Sequence, residues 1–142
     1  MWRQPIIDRT LSDVEYAKNF SSEEDLKGTL NVSDWIRITE NIYYLSELLT
    51  KYGYKVKVKC KIDWSKDYIP RVSDVEQIKT DINSLKSAYI ILSTTPQTPN
   101  LPYTLYTKIN DIEKILLDIN NLLKSEIEGL KRLSFRLGGG KF

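Results

Sequence analysis

Histidine is missing from these 142 residues, and cysteine and methionine occur once each. Without histidine there is no Ser-His or Cys-His nucleophile pair, no histidine zinc site and no ordinary general base near neutral pH. A lone Cys60 cannot close an intrachain disulfide, so stability has to come from burial or from neighbouring chains, and the compartment stays open. No run approaches the roughly 18 apolar residues of a membrane span, and the first eight residues hold no apolar core of signal-peptide length. Neither sign of charge dominates: 21 Lys and Arg face 19 Asp and Glu, a formal +2 that recruits neither nucleic acid nor membrane by bulk electrostatics. The expectation is a protein made and used in the cytoplasm, or carried out inside an assembly.

What the chain does have is ordinary globular composition, 41% hydrophobic and 28% charged, which fits one domain with a real core. Its clearest pattern is a repeat. Ser33-Asp34-Trp35, Ile38, Asn41, Ile42 and Leu45 return forty residues later as Ser73-Asp74-Val75, Ile78, Asp81, Ile82 and Leu85. Apolar steps of three and four predict two related helices, about 32–52 and 73–92, each opened by a Ser that can cap backbone N–H groups and an Asp at the positive end of the helix dipole. Ser12-Asp13-Val14 echoes the pattern and predicts a short helix, after which Ser22 to Lys27 reads as an acidic turn ended by Gly28. A third long helix is expected from Thr104 or Thr107 to about Arg132. Its stripe of Ile109, Ile112, Ile115, Leu116, Ile119, Leu122, Leu123, Ile127 and Leu130 is wide enough for two neighbours.

Between the repeats the period changes. Tyr54, Val56, Val58, Cys60 and Ile62 alternate with Lys55, Lys57, Lys59 and Lys61, which predicts one amphipathic strand whose partner is the N-terminal arm, the C-terminal tail or another subunit. Residues 63–70 are a loop with two large aromatics, and the three prolines of 94–103 make a connector. The expected organisation is an extended arm over 1–10, a helical domain over 11–133 and a tail over 134–142, with the alternation of Leu133, Phe135 and Leu137 across that boundary reading as a short strand. The fold class is therefore mainly α: a bundle of three long helices with a short N-terminal helix and a small strand element.

Candidate chemistry is thin. The lysine row of 55–61 can hold phosphates in a groove, but lysines also keep an edge strand soluble, and no arginine or aromatic residue is interleaved to stack on bases, so nucleic acid is the weaker alternative. Glu23, Glu24 and Asp25 read as a solvated turn, and Asp111, Glu113 and Asp118 as the outer side of the third long helix. Gly138-Gly139-Gly140-Lys141 lacks the spacing and context of a phosphate loop. No catalytic residue, cofactor or metal is expected. The aromatic content points instead to shared surfaces, with Trp2, Ile6, Ile7, Tyr43, Tyr44, Trp64, Tyr68, Phe135, Leu137 and Phe142 as the candidate interface. Asn41, polar among Ile38, Ile42 and Leu45, can fix helix pairing.

Arg9-Thr10, Asp13-Val14, Tyr16-Ala17-Lys18, Lys27-Gly28, Asn31, Asp34, Arg37-Ile38, Asn41, Tyr44-Leu45, Tyr52-Gly53-Tyr54, Asp63-Trp64, Ile69-Pro70, Asp74 and Ile78 carry a resemblance. Over roughly residues 9–90 the chain resembles a small helical module of tail and baseplate proteins of phages, and of phage-tail-like particles, from clostridial and related Gram-positive bacteria. The resemblance implies a virion or tail-particle structural part without enzymatic activity. Its implied partners are other tail or baseplate proteins, as a homo-oligomer or a repeated subunit, with no membrane. An arm at one end and a glycine-rich tail at the other fit a subunit tied into a larger assembly.

Overall fold

The computed structural model describes residues 1–20 and 26–139 and is mainly helical. Four helices follow one another: α1 (Leu11–Asn19), α2 (Val32–Lys51), α3 (Val72–Ala88) and α4 (Tyr106–Gly139). Among the described residues there is no strand. Helices α2, α3 and α4 each contact the other two. Their apolar stripes close on a core in which Ile38, Ile42, Leu45, Leu49, Ile78, Ile82, Leu85, Ile112, Ile115, Leu116, Ile119 and Leu123 are all fully buried. The three-four spacing of the sequence is thus the spacing of the core.

The N-caps fall two residues earlier than the serines imply. The N-caps are Thr10, Asn31 and Arg71, which puts Asp13, Asp34 and Asp74 three residues into their helices. Each Asp carboxylate reaches back and accepts the N-cap backbone N–H: Thr10 at 2.9 Å, Asn31 at 2.7 Å and Arg71 at 2.8 Å. The recurring Ser-Asp pair is therefore the reciprocal half of a capping box, carried by Asp rather than Ser. Helix α2 ends as glycine chemistry dictates. Gly53 takes φ +94°, the Tyr54 N–H donates to the Leu49 carbonyl, and the Gly53 N–H donates to that of Thr50.

Three expectations need correcting. Helix α3 stops at Ala88 instead of Leu92, leaving Ile90 72% exposed. Leu133, expected to open a strand, lies in α4, whose backbone stays helical through Gly139 and so takes in Phe135 and Leu137; residues 21–25 of the acidic turn and Phe142 fall outside the described residues. The third correction is the strand of 54–62. Tyr54, Val56 and Val58 do turn toward the core and Cys60 is buried, while Lys55, Lys57 and Lys59 are exposed. Among the described residues no second segment pairs with it as a strand; the Asp81 carboxylate of α3 accepts the backbone N–H groups of Lys59 and Cys60 at 3.0 and 2.7 Å. A side chain does the work expected of a neighbouring strand, and past Cys60 the alternation reverses, with Ile62 exposed.

Candidate functional site

Residues 1–10 contain no helix and run along α2 and α4, gripped mainly by their main chain. Asn41 of α2, fully buried, accepts the Arg3 backbone N–H and donates to the Arg3 carbonyl, both at 2.8 Å. Asn110 of α4 does the same to Arg9, accepting its N–H at 3.2 Å and donating to its carbonyl at 2.9 Å. A carboxamide offers one donor and one acceptor in the geometry of a peptide group, so each Asn stands in for one residue of a partner strand. Asp81 completes the set on α3. Each long helix thus contributes one polar residue that holds extended chain, and Asn41 and Asp81 are forty residues apart, equivalent positions in the repeat.

Beneath the arm lies a closed ring of charge. Arg9 bonds Asp34 at 3.2 Å and Glu113 at 2.8 Å, and Arg37 bonds the same two carboxylates at 2.6 Å each. The ring carries no net charge. Arg9 is 5%, Asp34 4% and Glu113 0% exposed, which corrects the expectation that Glu113 faces solvent; Asp118 is buried too, bonded by Thr95 and Lys114. Every carboxylate oxygen of the ring is used inside the chain, since Asp34 also accepts the Asn31 N–H and Glu113 the Ile6 N–H. Burial pulls the Arg37 guanidinium toward neutrality, but Glu113 and Asp34 outweigh it and hold the charge more firmly than in water. Such a ring can orient an arm, since each of its four carboxylate oxygens already accepts from a group of the chain. Among the described residues, no group of three or more His, Cys, Asp or Glu is placed to hold a metal ion.

The expected interface residues fall in different places. Trp2 packs at 5.8 Å against Tyr44, half-buried, and Tyr43 lies half-buried beside the core. Ile6 is half-buried and Ile7 exposed. Trp64 sits inside the core, stacked on Trp35 at 5.7 Å with its indole N–H on the Thr39 hydroxyl at 3.1 Å, so the 63–70 loop seals the first half of α2. Tyr68 donates to Asp74 at 2.7 Å. Phe135 and Leu137 belong to the last turns of α4. The lysine row is not continuous: Lys61 turns away, bonding Asp63 at 3.0 Å and lying 4.5 Å over the Tyr68 ring. A cleft of about 370 Å³ opens between α1 and the start of α4, lined by Leu11, Val14, Leu30, Tyr103 and Ile109, with Arg9 already committed to its ring.

Sequence reasoning missed the arm clamps and the charge ring. Asn41 is visible in the sequence as a polar residue on an apolar face, but its partner lies thirty-eight residues upstream; Glu113 reads as surface and Asn110 carries no signal, because arm cover has no period. No family model, curated protein or solved structure matches the chain. No described helix is long and apolar enough to cross a membrane.

Proposed function

We propose that this chain is a non-catalytic structural part of a phage tail, baseplate or fibre, or of a phage-tail-like particle, working in the virion or particle by packing and by arm contacts with neighbouring subunits. The observation that carries the reading is the use to which the resembling residues are put. Arg9, Thr10, Asp13, Asn31, Asp34, Arg37, Asn41, Trp64 and Asp74 all spend their polar atoms holding arm, caps and loop to the helices. The motif is a scaffold for an arm. In this reading α2, α3 and α4 act as a three-helix bundle that presents two Asn clamps to an extended segment. Because the clamps bind main chain, they accept the arm of a neighbouring copy as readily as their own, which gives subunits a way to interlock.

Sizing the purified chain alone and after co-expression with the products of adjacent reading frames tests this. Co-elution with a tail or baseplate protein, weakened when residues 1–9 are deleted, is the expected result. A chain that ignores every such neighbour overturns the reading. The rival use of the lysine row predicts salt-dependent DNA binding; retention of DNA at low salt that Lys55→Glu and Lys57→Glu abolish would replace assembly with nucleic-acid binding.

A further inference from the structure

The arm is gripped at every third residue. Its Arg3, Ile6 and Arg9 N–H groups are accepted in turn by Asn41 at 2.8 Å, Glu113 at 3.2 Å and Asn110 at 3.2 Å. The side chains that enter the groove keep nearly the same step: Trp2 is half-buried, Pro5 and Arg9 are buried, and Ile6 is half-buried beside Pro5, while Gln4, Ile7 and Asp8 stay exposed. Three residues per turn is the repeat of polyproline-type chain, whose backbone bonds nothing of its own and is free for clamps. Pro5 favours that form and holds Gln4 extended.

Arg9 is the hardest of these to replace. Its guanidinium reaches Asp34, Glu113, the Asn110 Oδ1 at 3.3 Å and the Ile6 carbonyl at 2.9 Å, a set that a forked group spans and a single ammonium does not. Without it Asp34 and Glu113 share Arg37 alone, and one buried negative charge is left over. Whatever fills the groove has to bring a guanidinium.

We infer that the groove between α2 and α4 is a peptide-recognition site that takes the arm of a second copy of this chain, choosing its occupant by the Trp, Pro and Arg spacing of Trp2, Pro5 and Arg9. This rests on the assembly reading and supplies both its partner and its rule. Trp64 and Arg71 repeat the Trp-to-Arg distance, but Asp67 stands where Pro5 does and Trp64 is spent in the core against Trp35. The arm is therefore the segment of the sequence that carries all three anchors. It is also built to leave. Thr10, the exposed residue between Arg9 and α1, gives its N–H and its hydroxyl to Asp13, so the cap of α1 survives when the arm lifts. An arm of the same chain and an arm of its neighbour make the same bonds, and the choice between them turns on local concentration, which a repeated subunit raises.

Mixing two lots of full chain reads the exchange. One lot carries a nitroxide at Ile7→Cys, an exposed position, in a Cys60→Ala background; the other is unaltered and isotope-labelled in nitrogen. The expected result is paramagnetic broadening of the Asn41 and Asn110 side-chain amides of the second lot, growing with concentration. A nitroxide-bearing peptide of residues 1–10, which has no fold to lose, tests the rule: Arg9→Lys or Trp2→Ala should weaken its binding by about tenfold, and Gln4→Ala should leave it unchanged. Lots that fail to broaden each other at millimolar concentration, or an Arg9→Lys peptide that binds as well as the parent, overturn the proposal. A chain whose arm stays in place yet co-elutes with a tail protein sinks this exchange and leaves the assembly reading standing; arms that exchange in a chain ignoring every neighbour do the reverse.

Discussion

Asn41, Asp81 and Asn110 occupy core-facing or half-buried positions where a leucine would be the simpler choice, and each is bonded there to backbone groups of extended chain. Leaving a buried N–H unsatisfied costs more than the hydrogen bond itself contributes. Asp81→Ala should therefore destabilise by about 2 kcal/mol, read as a lower urea midpoint, with faster amide exchange at Lys59 and Cys60. Glu113→Gln leaves the buried Arg9 and half-buried Arg37 guanidinium groups facing one carboxylate, and the expected loss is about 3 to 5 kcal/mol. A loss near zero in that variant would mean the ring is open to water. The forty-residue repeat made Asn41 and Asp81 visible as matched polar residues, yet nothing local to either says what it holds. Periodicity reports which face is buried, and these contacts run to segments with no period.

At the level of elements, the helices were legible because apolar spacing and core packing coincide, and α2 runs within a residue or so of its expected limits. The strand was not. Alternation in 54–60 records a segment buried on one side, and a helix side chain takes the N–H groups of Lys59 and Cys60 where a strand would pair, so the pattern alone could not choose. Alternation at Leu133, Phe135 and Leu137 misled for another reason, since a seven-residue leucine row running through Leu130 is equally present and the helix follows it. Two variants probe the joints between elements. A Cβ on Gly28 would lie 2.0 Å from the Asp13 carbonyl oxygen, which is backbone and cannot swing away. Gly28→Ala should thus cost about 1 to 3 kcal/mol by pushing α1 off the loop, and calorimetry would show it. Trp35→Ala removes the ring on which Trp64 stacks and should cost about 3 kcal/mol or more; an unchanged melting temperature would place that ring outside the core.

The whole molecule should weaken in alkali. Burial, with the Asp81 carboxylate beside it, pushes the Cys60 thiol well above its ordinary 9.0; burial and Glu126 raise Tyr89 above 10.0, and burial takes Tyr103 up to about 12. In each case the folded chain keeps a proton that the unfolded chain releases, so their contribution is intact below pH 9 and declines as pH rises through 9 to 12. The melting temperature should fall steadily above pH 9, and Cys60→Ala should flatten the first part of that fall. The arm adds a constraint of another kind. Its two clamps hold the main chain of Arg3 and Arg9, six residues apart, while Gln4, Ile7 and Asp8 face solvent. The groove works as a ruler: it measures the length of peptide between the clamps and is blind to the letters only at the outward positions, whereas Arg9 and Trp2 are read by their side chains. Exchanging Gln4 or Asp8 for alanine should leave stability within about 0.5 kcal/mol of the parent. Inserting one alanine between Ile7 and Asp8 should release one clamp entirely, and over generations such an arm can change its spelling at Gln4, Ile7 and Asp8 while its length stays fixed.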